Sequence, residues 1–200
     1  MRIIIDGTVG AGKTTLITGR SQRDPKNKKY PGLSDMGYPV FTDMMTDVIR
    51  MMRDRGISDP AQDWKTFFEI AVDRCIDDYN KAEKNQINFY DRGIYFLEMM
   101  SERYKQELPK RYYEFCEMYQ YDNPVFIFQP ILSIDMTKPH KTDNQQKVYT
   151  VEQRILQHSA ILHLYEKRGY EVIEVPLNSE DAYENNLYRL NFIKERIGIR

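Results

Sequence analysis

The sequence predicts an α/β protein in which short apolar strands alternate with helices. Three observations carry that reading. Ile3, Ile4 and Ile5 are consecutive β-branched apolar residues, as in a strand buried on both faces. Gly7-Thr8-Val9-Gly10-Ala11-Gly12-Lys13-Thr14 follows at once and fits the phosphate-binding pattern G-x-x-x-x-G-K-[ST]. Further short strand-like runs then alternate with segments of helical period.

The loop composition has a chemical logic. Gly7, Gly10 and Gly12 let the backbone turn sharply and bring its N–H groups close to phosphate oxygens. The helix that follows points its positive end at the same anions. Lys13 reaches the β- and γ-phosphates as a mobile charge, and the Thr14 hydroxyl is a candidate Mg²⁺ ligand. Gly7, Thr8, Val9, Gly10, Ala11, Gly12, Lys13, Thr14 and Thr15 are therefore the candidate nucleotide-binding residues.

A chain of 200 residues suits one domain, taken as residues 1–200. The net charge of −1 sets up no global field toward nucleic acid or an anionic membrane. No apolar run is long enough to span a bilayer, and the N-terminal segment enters a strand directly, without a signal-peptide pattern. A cytoplasmic protein is expected. Cys75 and Cys116 are isolated and read as reduced core thiols. Three scattered histidines give a His/Cys metal site no support.

After the first helix, residues 21–38 read as a solvated loop insertion with Pro25, Pro31, Gly32, Gly37 and a basic cluster of Lys26, Lys28 and Lys29. A flap near the phosphates or a small nucleic-acid contact is the sharper alternative. Residues 38–42 read as the second strand and 44–53 as helix, with Asp43 between them. Ligands of open α/β sheets bind beyond the carboxyl ends of the strands, so Asp43 stands where a base for an acceptor hydroxyl belongs. Asp43 also suits the role of helix cap, and Asp47 is the rival base.

Asp59-Pro60 opens a helix expected to run to about residue 84. Trp64, Phe67, Phe68 and Ala71 share one face of it, as core or as a wall against a flat substrate, and Asp73 and Arg74 read as a surface ion pair, with contact to polar substrate groups as the alternative. Residues 87–90 read as the third strand, ending in Asp91-Arg92-Gly93. An acidic residue at a strand end near a phosphate loop is placed to hold Mg²⁺, and Arg92 to bind substrate or the transferring phosphoryl group.

Residues 94–105 and 109–119 are helical by period, with Met99, Met100, Tyr112, Tyr113, Phe115 and Met118 as packing residues. Residues 124–128 form an apolar fourth strand. The polar segment 134–147, with Lys138, His140, Lys141, Asp143 and Lys147, suits a lid over phosphates, taken as about 133–149; Lys141 is its candidate cation. Thr150 caps the next helix, whose apolar face carries Ile155, Ile161, Leu162 and Leu164. Arg154 lies in its first turn, facing back toward lid and phosphates. Residues 170–176 read as the fifth strand and 179–197 as the closing helix.

With these residues placed, the chain resembles the P-loop kinases. Its opening, IIIDGTVGAGKTT, is similar to deoxynucleoside and thymidylate kinases, whose first strand also ends in an acidic residue before the glycine. Tyr90-Asp91-Arg92-Gly93, His140-Lys141-Thr142-Asp143-Asn144 and the run from Gly169 to Pro176 resemble a group of AAA-type P-loop ATPase/kinase domains that includes ribosylnicotinamide kinase. The resemblance implies the P-loop NTPase three-layer sandwich: a five-stranded parallel sheet with helices on both faces. It also implies ATP and Mg²⁺ as cofactors, Asp91-Arg92 at the active centre and Asp43 near the acceptor. Lys141 stands where these families usually have Arg, the insertion 21–38 is longer than theirs, and Met44 follows Asp43 where many nucleoside kinases have Pro.

The expected function is transfer of the γ-phosphoryl group of ATP to a nucleoside- or nucleotide-like acceptor. Lys13, Asp43, Asp91, Arg92 and Lys141 are the candidate catalytic residues. Thr14 and Asp91 are the candidate Mg²⁺ ligands, and Arg154 joins the loop as a phosphate contact. The alternatives are a nucleotide-binding switch module and a polynucleotide 5′-kinase acting through the lysine-bearing insertion.

Overall fold

The computed structural model describes residues 1–21, 29–133, 149–179 and 181–199. Five parallel strands form one sheet: β1 (Arg2–Gly7), β2 (Val40–Phe41), β3 (Asn88–Asp91), β4 (Val125–Phe128) and β5 (Val172–Val175), in the order β2-β3-β1-β4-β5. The helices are α1 (Lys13–Thr18), α2 (Met44–Asp54), α3 (Trp64–Asn80), α4 (Phe96–Tyr104), α5 (Lys110–Met118), α6 (Val151–Lys167) and α7 (Ala182–Arg196). The expected five-stranded parallel sheet with helices on both faces is what the chain forms.

The sheet interior explains the strand sequences. Side chains alternate between faces, so Ile4 joins one core and Ile3 and Ile5 the other. All three are fully buried, because β1 lies mid-sheet between β3 and β4. Tyr90 and Ile127 continue the Ile4 face, against Val48, Phe67, Phe68 and Tyr165. Phe89, Phe126 and Phe128 continue the other, against α1 and α7. In-register pairing of Ile5 with Asp91 and of Gly7 with Phe128 brings the carboxyl ends of β1, β3 and β4 together.

Several expectations need correction. The helix expected from Asp59 to residue 84 is interrupted: Pro60–Gln62 is a single 3₁₀ turn, and α3 starts afresh at Trp64. The cause is Asp63, whose backbone is non-helical and whose carboxylate caps the new helix by accepting from the Thr66 N–H at 3.0 Å and its hydroxyl at 2.7 Å. Tyr113 and Met118 are exposed rather than packed, as is Ile155 on α6. Cys116 is only half-buried, whereas Cys75 is buried.

The described part of the insertion is not a solvated loop. Leu33 is fully buried, and Gly32 lies against Gly19 so closely that a Cβ there would stand 2.3 Å from the Gly19 nitrogen. Lys29 pairs with Asp35 at the surface; Lys26 and Lys28 lie outside the described residues. Phe67, Phe68 and Ala71 are core, while Trp64 is half-buried and stacks on Tyr104 at 4.1 Å.

The restart at Asp63 gives a test of the helix boundary. Asp63→Ala leaves the first turn of α3 uncapped and lowers stability by about 1 kcal/mol. Urea unfolding monitored by circular dichroism checks this; an unchanged midpoint contradicts the assigned cap.

Candidate active site

The loop between β1 and α1 is pressed against the sheet. At Gly7, φ is +145° and a Cβ would lie 2.9 Å from the Phe128 carbonyl oxygen, so only glycine fits there. Gly12 adopts a left-handed conformation, φ +91°, and caps α1, aiming the first free N–H groups of the helix into the loop. The Ala11 N–H closes the turn on the Thr8 carbonyl at 3.3 Å. The nine predicted loop residues from Gly7 to Thr15 thus form one cradle, with Gly7, Thr8, Ala11 and Lys13 buried and Val9, Gly10, Gly12, Thr14 and Thr15 half-buried.

Lys13 is curled into the cradle. Its Nζ donates to the carbonyls of Gly7 at 2.9 Å and Thr8 at 3.0 Å. Burial, then the Arg92 charge, lower its pKa below the usual lysine value. The Thr14 hydroxyl donates to Asp91 Oδ2 at 2.7 Å, so the two predicted metal ligands meet across 77 positions of sequence. Burial pushes the Asp91 carboxyl up to about 6, against the opposing pull of Lys13.

Three atoms here are left orphaned. Among the described residues, Asp91 Oδ1, Thr8 Oγ1 and Arg92 Nε are buried without a hydrogen-bond partner. An unpaired buried oxygen costs about 1–3 kcal/mol unless something occupies the site. A hard cation on Asp91 and Thr14, and phosphate oxygens on the loop, are the groups these atoms fit. No cluster of three or more His, Cys, Asp or Glu side chains suited to a metal exists among the described residues, so such a cation takes most of its ligands from elsewhere.

Arg92 sits at the centre of the carboxylates. Its backbone is left-handed, φ +73°, a strained state for a non-glycine residue. The strain directs the side chain inward, where the guanidinium lies over the Phe96 ring at 4.1 Å. Its Nε is 3.7 Å from Asp6 and its Nη1 3.9 Å from Asp43. Asp43 takes the expected role of helix cap, its Oδ1 accepting from the Met45 N–H at 2.9 Å at the start of α2, while its Oδ2 faces Arg92. Asp47 is committed elsewhere, to Arg50 at 2.9 Å and Arg74 at 3.4 Å. Arg74 pairs in turn with Asp78, and Asp73 with Arg111 at 2.6 Å, so the expected Asp73–Arg74 pair does not form.

Sequence reasoning missed three residues. Asp6 is fully buried, accepting from the Gly7 N–H at 2.7 Å and the Tyr165 hydroxyl at 2.9 Å. A charged residue closing an apolar strand was the available signal. Tyr165 and Arg189 gave none, since each meets its partner across most of the chain. Arg154 is buried, but its Nη atoms donate to the carbonyls of Ile131 at 2.8 Å and Leu132 at 3.1 Å, at the root of the segment after β4. Lys141, His140 and the expected lid 134–147 lie outside the described residues.

Two spaces lie at the carboxyl ends of the strands. A pocket of about 10 Å³, room for one water, lies beside Asp91 and Arg92 and is walled by Phe41, Cys75, Asp78 and Tyr90. An open cleft of about 750 Å³ lies between the exits of β4 and β5, lined by Pro130, Ile131, Leu132, Leu177 and Asn178, with His158 and Glu174 paired at 2.9 Å on its wall.

The raised pKa of Asp91 predicts a pH-dependent mutant effect. In the unfolded chain the carboxyl ionises near its ordinary value of about 4, in the native state near 6. Between those values the native state holds the extra proton, so this group's contribution to stability falls as pH rises. Asp91→Asn is therefore more stable than the wild type at pH 7 by about 2–3 kcal/mol, and the gap closes toward pH 4. Urea titrations at pH 4, 5.5 and 7 check the sign.

The sequence matches the family described as an AAA domain over residues 2–183. No curated protein matches it. Its fold is similar to that of the NadR protein, solved in complex with NR, with TM-score 0.60 and 15% identity over 100% of this chain and 52% of that one. The chain thus spans about half the length of the NadR protein. It is also similar to deoxyadenosine kinase from M.mycoides, solved with the products dCMP and a flexible dCDP bound: TM-score 0.56 and 15% identity over 99% of this chain and 98% of that one. No helix among the described residues is long and apolar enough to cross a membrane. The chain belongs to the AAA-domain family and has the P-loop kinase fold.

Proposed function

We propose that the protein is a small-molecule kinase that transfers the γ-phosphoryl group of ATP to a hydroxyl or phosphate of a nucleoside-like acceptor. The observation that carries the reading is the junction of Lys13, Thr14 and Asp91 at the glycine cradle, with Asp91 Oδ1 left unpartnered. The two fold neighbours support the acceptor class, since one is solved with NR and the other with deoxynucleotide products.

Each residue then has a task. The loop amides and Lys13 hold the β- and γ-phosphates, Lys13 exchanging its two carbonyl partners for phosphate oxygens. Mg²⁺ would be held by Thr14 and Asp91, and supplies neutralising charge to the phosphates when bound. Arg92 faces the developing charge on the transferring group, and Lys141 does the same from the lid. Asp43 orients or deprotonates the acceptor, its Oδ2 being turned to Arg92 while both Asp47 oxygens are ion-paired. The base of the nucleotide occupies the cleft between the exits of β4 and β5, below the lid root held by Arg154. The acceptor enters beside Phe41 and Tyr90, stacked at 4.7 Å. At about 10 Å³ that pocket must widen, by α2 parting from α3, to admit a nucleoside. The catalysis is positioning and electrostatics rather than covalent chemistry. Transfer takes place in the cytoplasm.

The test is ATP consumption with Mg²⁺ against a panel of nucleosides, nucleotides and nicotinamide riboside. One acceptor raises turnover, and Lys13→Ala lowers it about a hundredfold or more. Turnover that no acceptor raises, nucleic acids included, overturns the kinase reading in favour of a switch module. With the acceptor in hand, Asp43→Asn lowers kcat about a hundredfold while Asp47→Asn stays within about threefold. The reverse order assigns the base to Asp47.

A further inference from the structure

Arg189 lies on α7, far in sequence from the phosphate loop, and is 1% exposed. Its five donors form a fixed fork, and the fork reaches three separate segments. Nη1 donates to the Ala11 carbonyl at 2.5 Å, in the phosphate loop. Nη2 donates to the Gln129 carbonyl at 3.0 Å, where the chain leaves β4. Nε donates to the Pro176 carbonyl at 3.1 Å, where it leaves β5. The guanidinium also lies over the Phe128 ring at 4.5 Å, and Phe128 is the residue against which Gly7 packs. A Cβ on Gly12 would stand 3.5 Å from Nη1.

Satisfying three carbonyls does not require a charge; neutral donors would do it. What stands out is the charge itself. Among the described residues, no carboxylate lies within ion-pairing distance of Arg189, and all three of its partners are backbone oxygens. Burial alone lowers its pKa, to about 10, so it stays protonated at neutral pH. A buried cation without a counter-ion is costly, and such groups are ordinarily paired or relieved by a ligand. The neighbouring site charges, Lys13 and Arg92 with Asp6, Asp43 and Asp91, interact with one another, and Arg189 stands outside that cluster, with burial alone acting on it.

We propose that Arg189 is a positioning residue for the nucleotide: it ties the phosphate loop to the exits of β4 and β5, and its positive charge beneath the loop has the bound polyphosphate as its counter-charge. The inference rests on the nucleotide-binding part of the proposed function and does not depend on the acceptor. It also couples the two halves of the nucleotide site, because Gln129 lines the cleft assigned to the base, Pro176 directly precedes Leu177 on that cleft's wall, and the Ala11 carbonyl belongs to the cradle assigned to the phosphates.

The test compares neutral and charged replacements in the whole protein. Arg189→Gln keeps donors and removes the charge; Arg189→Lys keeps the charge and cannot reach all three carbonyls. Binding of ATP·Mg²⁺ and of AMP is measured by calorimetry, with urea unfolding of each variant alongside. The Gln variant loses about tenfold in ATP affinity, the Lys variant recovers most of that loss, and AMP, which has no β-phosphate for the loop, changes by less than about twofold in either. Equal ATP affinity in the Gln and Lys variants, or equal losses for ATP and AMP, reduces Arg189 to a structural clamp and overturns the proposal. Should Arg189→Gln not fold, Arg189→Met is the neutral variant and the same comparisons decide. A wild type that binds no ATP overturns the nucleotide reading itself, and this proposal with it; a wild type that binds ATP alongside variants that bind it equally well overturns this proposal alone.

Discussion

Three carboxylates and two cations meet where β1, β2 and β3 end, with Asp43 half-buried and the other four side chains buried, and the rest of the site depends on that packing. Asp6, Asp43 and Asp91 face Lys13 and Arg92 within a low-dielectric pocket. Charges taken out of water are tolerated only where they answer one another. The parallel register does this by stacking the strand ends: Ile5 beside Asp91, and Val40-Phe41 beside Phe89-Tyr90. The strained Arg92 backbone and the glycine at position 7 are local consequences. Each gives up ordinary backbone freedom so that a charged group or a backbone amide points into the shared pocket.

The cluster also explains why the loop is poised rather than complete. Lys13 is held on carbonyls, Thr14 on Asp91, and Asp91 keeps one oxygen orphaned. These are the contacts an anionic ligand and a hard cation would replace, at little reorganisation, since the side chains already converge. On the opposite side of the loop, Arg154 and Arg189 hold backbone carbonyls at the exits of β4 and β5. Arginine suits that work because its planar fork can serve two or three carbonyls at once.

Much of this was legible in the sequence where the signal is local. The isoleucine run, the glycine spacing and the Asp91-Arg92-Gly93 turn each report their structure within a few residues. Asp43 was legible as a strand-end carboxylate, although cap and base readings coincide on it. The helix break at Asp63 was not, because an aspartate inside a helical period looks the same whether it caps or is merely exposed. Tyr113, Met118 and Ile155 show the complementary failure: apolar residues at helical spacing that the fold leaves in solvent. The partners of Asp6 and Ala11 lie 159 and 178 positions away, in Tyr165 and Arg189, and pairings of that range leave no mark on either segment.

The central claim is that this buried charge cluster is a site for a nucleoside polyphosphate and a divalent cation. Calorimetric titration of the wild type with ATP, with and without Mg²⁺, beside Asp91→Asn, tests it most directly. The account predicts 1:1 binding that Mg²⁺ strengthens in the wild type and strengthens far less in the variant. Binding that ignores Mg²⁺, or is equal in the two proteins, would contradict it.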